Sequence, residues 1–312
     1  MSYLNEGYCY VVELDLPKFF DRVNHDRLMH RLSLQIDDKE VLRLIRRYLQ
    51  SGVMLNGVVQ SSRSGTPQGG NLSPVLSNIV LDELDEELTR RGHRFVRYAD
   101  DISIFVASRR AGERVLRSVS RYVEQQLRLK VNEDKSGVHH YSKAQLLGFG
   151  FYKDKRGVQT RVSPKSYRHF RAKLKRLTSR RHSVSMDVRL GRLNSLIQGW
   201  LGYFGIAKAG KRLRDIDGWV RRRLRMCIWK QWKRVRTRLR CLVRLGIPKG
   251  KAYEWANTRK GYWRVSRSPI LHRAISTARL EQRGYHSIYA SYQRRHSILT
   301  NRRDTRPVRP VV

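Results

Sequence analysis

The sequence predicts an α+β domain followed by a basic, mainly helical one. Three observations lead there. Apolar, β-branched runs alternate with amphipathic stretches up to residue 153 and then give way to helical spacing. Charge is divided along the chain. Of 66 Lys/Arg and 26 Asp/Glu, residues 1–150 hold 22 and 19, which leaves 44 and 7 for the rest: balances of +3 and +37. All 6 tryptophans (Trp200, Trp219, Trp229, Trp232, Trp255 and Trp263) fall in the basic part. These shifts set domains at 1–153 and 154–300, with 301–312 as a disordered basic tail.

Each element has its own signal. Tyr8–Asp15 (YCYVVELD) reads as a buried strand ending in a carboxylate. DRLMHRL and KEVLRLIRRYLQSG have helical spacing, the second with Val41, Leu42, Ile45, Tyr48 and Leu49 in one stripe and Gly52 closing it. VMLNGVVQ carries the hairpin signal Asn56-Gly57. Ser73 is a good N-cap, Pro74 fits the first helical position, and Gly92 ends that helix. Phe95–Tyr98 and Ile102–Val106 read as strands around Ala99-Asp100-Asp101. An amphipathic helix follows, with Val115, Val119, Tyr122, Val123 and Leu127 on one side. Leu146–Tyr152 reads as one further strand. The longest helix of the basic half is expected from near Asp215 to Arg240, burying Ile216, Val220, Leu224, Cys227, Ile228 and Val235.

A net charge of +40 repels itself unless a polyanion neutralises it. Basic residues interleaved with aromatics point to nucleic acid, through phosphate contacts and base stacking. A membrane partner is not expected, since no apolar run is long enough to span a bilayer. Cys9, Cys227 and Cys241 form no CxxC pair, so neither a disulfide framework nor a zinc knuckle is encoded. The expected location is a bacterial cytoplasm, in association with RNA or the nucleoid.

The stretch RFVRYADDISIFVA places Asp100 and Asp101 side by side between two apolar strands. Most Asp-Asp pairs are turns. Here an uncompensated double charge beside buried strands is costly, and Asp15 ends another such strand. Three carboxylates at the tip of a small sheet would hold two Mg²⁺ through hard oxygen ligands. Two such ions activate a 3′-hydroxyl and stabilise a pyrophosphate leaving group, which is polymerase chemistry. Asp21 and Asp26 are expected to cap or pair, and His25, His139 and His140 to be structural.

RYADD with its apolar flanks resembles the signature of reverse transcriptases. VVELDLPKFFDRVNHDRL resembles their motif A, SGTPQGGNLSPVLSNIVLDELD motif B, LKVNEDKS motif D and LLGFGFY motif E, in the family's order. RLNSLIQGWLGYFGIA and the following Trp- and Arg-rich helices resemble the maturase-specific region of group II intron proteins. The resemblance implies a reverse-transcriptase palm with remnant fingers, then a thumb/maturase region. It implies an RNA-directed DNA polymerase that uses dNTPs and assists intron splicing. Its partners would be group II intron RNA, an RNA template with a DNA primer, and target DNA. Asp15, Asp100 and Asp101 are then the Mg²⁺ ligands. Phe20 would lie under the incoming sugar and select deoxynucleotides, with Phe19 a core residue. Gln68, Gly69, Gly70 and Tyr98 would contact nucleotide and template. Lys135 would protonate the leaving pyrophosphate, against the alternative of a solvated surface lysine.

Two departures from the family shape the expectation. The chain starts about a strand and a loop before Asp15, where family members have a fingers region upstream. It is therefore expected to be a truncated copy, a split gene or an internal fragment, weak or inactive in polymerisation. No Cys/His-rich endonuclease module follows the basic region, which implies priming at a nick, a replication fork or a single-stranded target. The rival readings are an RNA-binding splicing cofactor without polymerase activity, a retron-type enzyme, and an inert fragment.

Overall fold

The computed structural model describes residues 1–51, 53–55, 58–60, 65, 66 and 70–304, with backbone alone at 53–55, 58–60 and 299–304. The chain divides into two compact units, Met1–Gln159 and Thr160–Val312.

The first unit runs α1 (Ser2–Asn5), β1 (Tyr10–Leu14), a 3₁₀ turn at Phe19–Asp21, α2 (His25–Ser33) and α3 (Lys39–Gln50). It continues with the hairpin β2 (Val53–Leu55) and β3 (Val58–Gln60), then α4 (Ser73–Arg90), β4 (Arg94–Tyr98), β5 (Asp101–Val106) and α5 (Arg109–Gln125). The strands β6 (Gly137–His140), β7 (Gln145–Leu146), β8 (Phe149–Asp154) and β9 (Gly157–Val162) complete it, the last crossing the division. One antiparallel sheet has the order β4-β5-β1-β6. Its period-2 alternation sorts two cores. Val12, Leu14, Ile102 and Ile104 pack with Leu84 and Leu88 of α4 and with Val119 and Val123 of α5. Val11 and Phe105, on the opposite face, pack with Leu4, Tyr141, Phe151 and Val158. A four-stranded sheet covered on both faces makes β1 and β5 central and rigid, so the ends of those two strands are well-fixed platforms.

Several expectations are adjusted. Leu146–Tyr152 is not one strand but the hairpin of β7 and β8. Leu147 and Gly148 both have positive φ (52° and 79°), the geometry of a type I′ turn, which Leu rarely adopts. α4 starts at Ser73 with Leu72 as its cap, so Ser73 is the first helical residue rather than the N-cap. Val41 is 40% exposed, and of the α3 stripe only Leu49 is fully buried. Gly52, Asn56 and Gly57 lie outside the described residues, although the β2–β3 pairing they were expected to bracket is present.

The second unit is helical: α6 (Pro164–Leu177), α7 (Met186–Phe204), α8 (Gly210–Gln231), α9 (Val235–Arg244), α10 (Lys249–Ala256), α11 (Tyr262–Val265), α12 (Pro269–Ala274), α13 (Thr277–Gln282) and α14 (Ile288–Asp304). The expected single helix over 215–240 is two, α8 and α9. The chain breaks at Trp232, where ψ is 64°. There Arg238 Nε donates to the Trp232 carbonyl (2.9 Å), satisfying a group the broken ladder leaves open. Val235, expected on the buried side, is 41% exposed. α14 runs on to Asp304, four residues into the segment expected to be a tail.

Acidic partners are scarce in this unit, so its buried and half-buried cations turn to carbonyls. Arg189, 3% exposed, donates to the carbonyls of Leu177, Ser179 and His182 and closes the C-terminal end of α6. Arg223 donates to the Lys175 and Thr178 carbonyls, Arg225 to that of Ile275, and Arg279 to those of Leu245 and Ala274. Burial, and then the charge of Arg221, pulls the Arg225 guanidinium down to about 10. The buried Asp217 accepts from Tyr285 Oη and the Ile288 amide (2.7 Å each) and lies 3.4 Å from Arg221. These contacts consume part of the basic excess as scaffold.

Candidate active site

The site is built on the sheet register. β1 and β5 pair Leu14 with Ile102, and one further step sets Asp15 beside Asp101. β5 is joined to β4 by a two-residue turn, Ala99-Asp100, since Tyr98 pairs with Asp101. Ala99 has φ of 53°, in the left-handed region that costs a non-glycine residue energy. That tight turn projects Asp100 at the tip of the hairpin, next to Asp101. Asp15, Asp100 and Asp101 are therefore brought to one end of two adjacent central strands.

The electrostatics agree. Burial, then the negative charges of Asp100 and Asp15, push the Asp101 carboxyl up from its ordinary value. Like charges held this way favour a cation between them. The donor set contains only carboxylate oxygens, which suits a hard divalent ion. Among the described residues no three His, Cys, Asp or Glu side chains already converge into a metal cage. The Asp15 carboxylate has two partners of its own. Asn132 Nδ2 donates to Asp15 Oδ2 (3.0 Å), and Lys135 Nζ stands 3.7 Å from the same oxygen.

Sequence reasoning missed what holds Asp15. Its amide donates to Ser136 Oγ (3.0 Å), and its carbonyl accepts from the Asn132 amide (2.9 Å). With the side-chain contact, residues 132–136 grip Asp15 at three points. A tight turn within the segment sustains the grip, since the Ser136 amide donates to the Asn132 carbonyl (2.8 Å). Lys135, 68% exposed at its side chain, thus stands beside Asp15 at the solvent edge of the site.

Phe19 and Phe20 divide as expected: Phe19 is 2% exposed in the core, and Phe20 is half-buried. Phe20, Pro74, Asn78, Tyr98 and Ala99 line a cavity of ≈ 700 Å³, large enough for a nucleotide. Tyr98 is 62% exposed there. Arg97 braces the hairpin, pairing with Asp85 and donating to Asn78 Oδ1 (2.9 Å) and the Ala99 carbonyl (3.1 Å). Gln68 and Gly69 lie outside the described residues. Gly70 is described, and its carbonyl accepts from the Ser73 amide (3.2 Å) at the entry to α4.

The approach to that loop is fixed by an unpredicted glycine. Gly65 has φ of 87°, and a Cβ there would stand 2.7 Å from the Phe20 carbonyl oxygen. The Gly65 amide donates to the Val23 carbonyl (2.7 Å), and the Thr66 amide donates to that of Phe20 (2.6 Å). Buried His25 donates through Nε2 to the Gly65 carbonyl (2.6 Å), a structural tie as expected for it. Asp26 pairs with Arg46.

Residues 2–151 match the family "Reverse transcriptase (RNA-dependent DNA polymerase)", and residues 167–246 match "Group II intron, maturase-specific domain". Protein YkfC of Escherichia coli (strain K12) is 30% identical over 165 residues, 42% of this chain and 43% of that protein. Group II intron-encoded protein LtrA of Lactococcus lactis subsp. cremoris is 38% identical over 91 residues, 29% of this chain and 15% of that protein. The chain spans less than half the length of these relatives. Among solved structures, apo telomerase from Candida tropicalis is 11% identical with a TM-score of 0.43, over 95% of this chain and 52% of that one, too distant to bear on function. A reverse-transcriptase domain implies nucleotide substrates and a divalent metal, and a maturase-specific domain implies a nucleic-acid partner. No described helix is long and apolar enough to cross a membrane. With the two domains adjoining in this order, the chain belongs to the reverse transcriptase/maturase family of group II introns.

Proposed function

We propose that this protein is an RNA-directed DNA polymerase and intron maturase: it binds group II intron RNA, assists its splicing, and copies it into cDNA for insertion at target DNA. Residues 1–153 serve as palm with remnant fingers, and 154–300 as the thumb/maturase region. The observation that carries the reading is the register that sets Asp15 beside Asp101, one turn residue from Asp100, in a chain with a reverse-transcriptase match.

Asp15, Asp100 and Asp101 would hold two Mg²⁺, which when bound supply the activated 3′-hydroxyl and neutralise the leaving pyrophosphate. The chain's own residues do the rest. Phe20 forms the floor under the incoming sugar and excludes a 2′-hydroxyl by bulk. Tyr98, Gly70 and, by sequence, Gln68 and Gly69 contact nucleotide and template, glycine allowing the backbone to approach closely. Lys135, held near Asp15 but mostly in solvent, reaches the pyrophosphate as a proton donor. Asn132 and Ser136 keep Asp15 aimed.

The test is primer extension on an RNA template with Mg²⁺ and dNTPs, wild type beside the Asp100→Ala/Asp101→Ala double variant, with binding of both to structured RNA. Extension by wild type alone, with equal RNA affinity, is expected. RNA binding by both and extension by neither would leave a splicing cofactor without polymerase activity.

A further inference from the structure

The second unit carries two neighbouring cavities that share Tyr167, Arg212 and Asp215. The first, ≈ 590 Å³, is also lined by Arg171 and Trp219. The second, ≈ 630 Å³, is lined by Arg161, Lys208 and Lys211. Each is of ligand size, and all of these residues belong to the second unit.

The first cavity has planar walls. The exposed Arg212 guanidinium lies 4.7 Å from the centroid of the buried Tyr167 ring, and the exposed Arg171 guanidinium lies 4.9 Å from that of Trp219. A guanidinium set over a ring is a ready stacking surface for a nucleobase. The second cavity offers cations without such rings beyond Tyr167, which suits phosphate.

Asp215 is the informative residue. It is exposed and has no described hydrogen bond or ion pair, although Arg168, Arg171 and Arg212 line the same cavity. A carboxylate in a phosphate-binding groove weakens that binding, so backbone recognition alone gives no reason for it. It does suit the Watson–Crick edge of an unpaired base bearing amino and imino donors, and guanine presents both side by side. We infer that this pair of cavities is a single-nucleotide site for an unpaired guanosine of RNA. The base lies between Arg212 and Arg171, Asp215 accepts from its N1–H and 2-amino group, and the flanking phosphate sits on Arg161, Lys208 and Lys211. The inference rests on the proposed RNA-binding role of this unit and adds a base preference to it.

The test measures affinity of the full chain for three RNA hairpins at fixed salt: one with a single bulged G, one with a bulged U, and one fully paired. Each is repeated across a salt series and with Asp215→Ala, a change at an exposed position that removes no described contact. The expected result is a preference for bulged G over bulged U of about tenfold. Asp215→Ala should erase that preference while leaving the salt slope unchanged. Steep salt-dependent binding with equal affinity for all three hairpins would overturn the guanosine site alone. So would a G preference that survives in Asp215→Ala. Absence of salt-dependent RNA binding would overturn both this site and the RNA-binding role beneath it.

Discussion

The two units use arginine in opposite ways. In the first, described arginines meet carboxylates: Arg27 with Glu83, Arg31 with Asp82 and Glu86, Arg90 and Arg91 with Glu87, Arg97 with Asp85, and Arg109 with Glu113. Arg90 and Arg91 hold the Glu87 carboxyl down at about 2. In the second, apart from Arg221 beside Asp217, the arginines described meet carbonyl oxygens and rings. Arg222 lies 3.8 Å from the centroid of Trp263, Arg214 4.6 Å from that of Tyr289, and Arg238 4.9 Å from that of Trp229. Carbonyls and rings orient a guanidinium but do not cancel its charge. The first unit is thus internally neutralised, whereas the second is folded and still carries a field that an external polyanion can answer. The difference teaches that scaffold and binding surface share one residue type, separated by burial.

The comparison breaks first on salt. If six to ten phosphates are contacted, RNA affinity should fall by about 10³–10⁵ between 50 and 200 mM salt. Filter binding reads this directly, and a flat response would mean that the basic excess is solvated and unused. Stability gives the next contrast. Arg189→Leu takes a buried donor away from three part-buried carbonyls and should cost roughly 3 kcal/mol by denaturant melt. Arg109→Ala removes one exposed pair with Glu113 and should stay within about 0.5 kcal/mol. Equal costs would dissolve the distinction between buried and surface arginines.

Within the first unit, Asn132→Ala removes the one of the three holds on Asp15 that reaches its carboxylate. It should lower Mg²⁺-dependent extension about 10–100-fold while leaving RNA affinity alone. The smallest effect concerns Asp101. Its folded pKa is raised, so the protonated form is the one the fold prefers. The stability it contributes is whole below the unfolded value, near pH 4, and is lost as pH rises through the folded value. Without metal, Asp101→Asn should therefore raise the melting midpoint by about 1–3 °C at pH 7 and by nothing at pH 3. Added Mg²⁺ should raise the wild-type midpoint more than that of the variant.

Much of the first unit was legible because its signals are local. Alternation marked β1, β4 and β5, and a 3.6-residue period marked α5. The Asp-Asp pair showed itself because two charges between apolar runs are costly. The grip on Asp15 was not legible: Asn132 and Ser136 lie 117 and 121 residues away in sequence, and the LKVNEDKS motif that holds them does not say which residue they touch. Gly65 was not singled out because its demand comes from the approach of Phe20 and Asp21, not from its neighbours in sequence. The break at Trp232 carries no proline or glycine, so periodicity ran through it. Val235 was then placed on a buried side that the second helix does not share.

The amino-acid sequence by itself determined the central strands and the main helices of the first unit, the charge division, the three carboxylates and the family. These follow from periodicity, composition and motif spacing, all readable along the chain. Only the tertiary structure decided which arginines serve as scaffold, how Asp15 is held, and that Asp215, with no described ion pair, stands among cations. Those depend on which distant groups burial brings together, and burial is a property of packing in three dimensions that spacing along one does not carry.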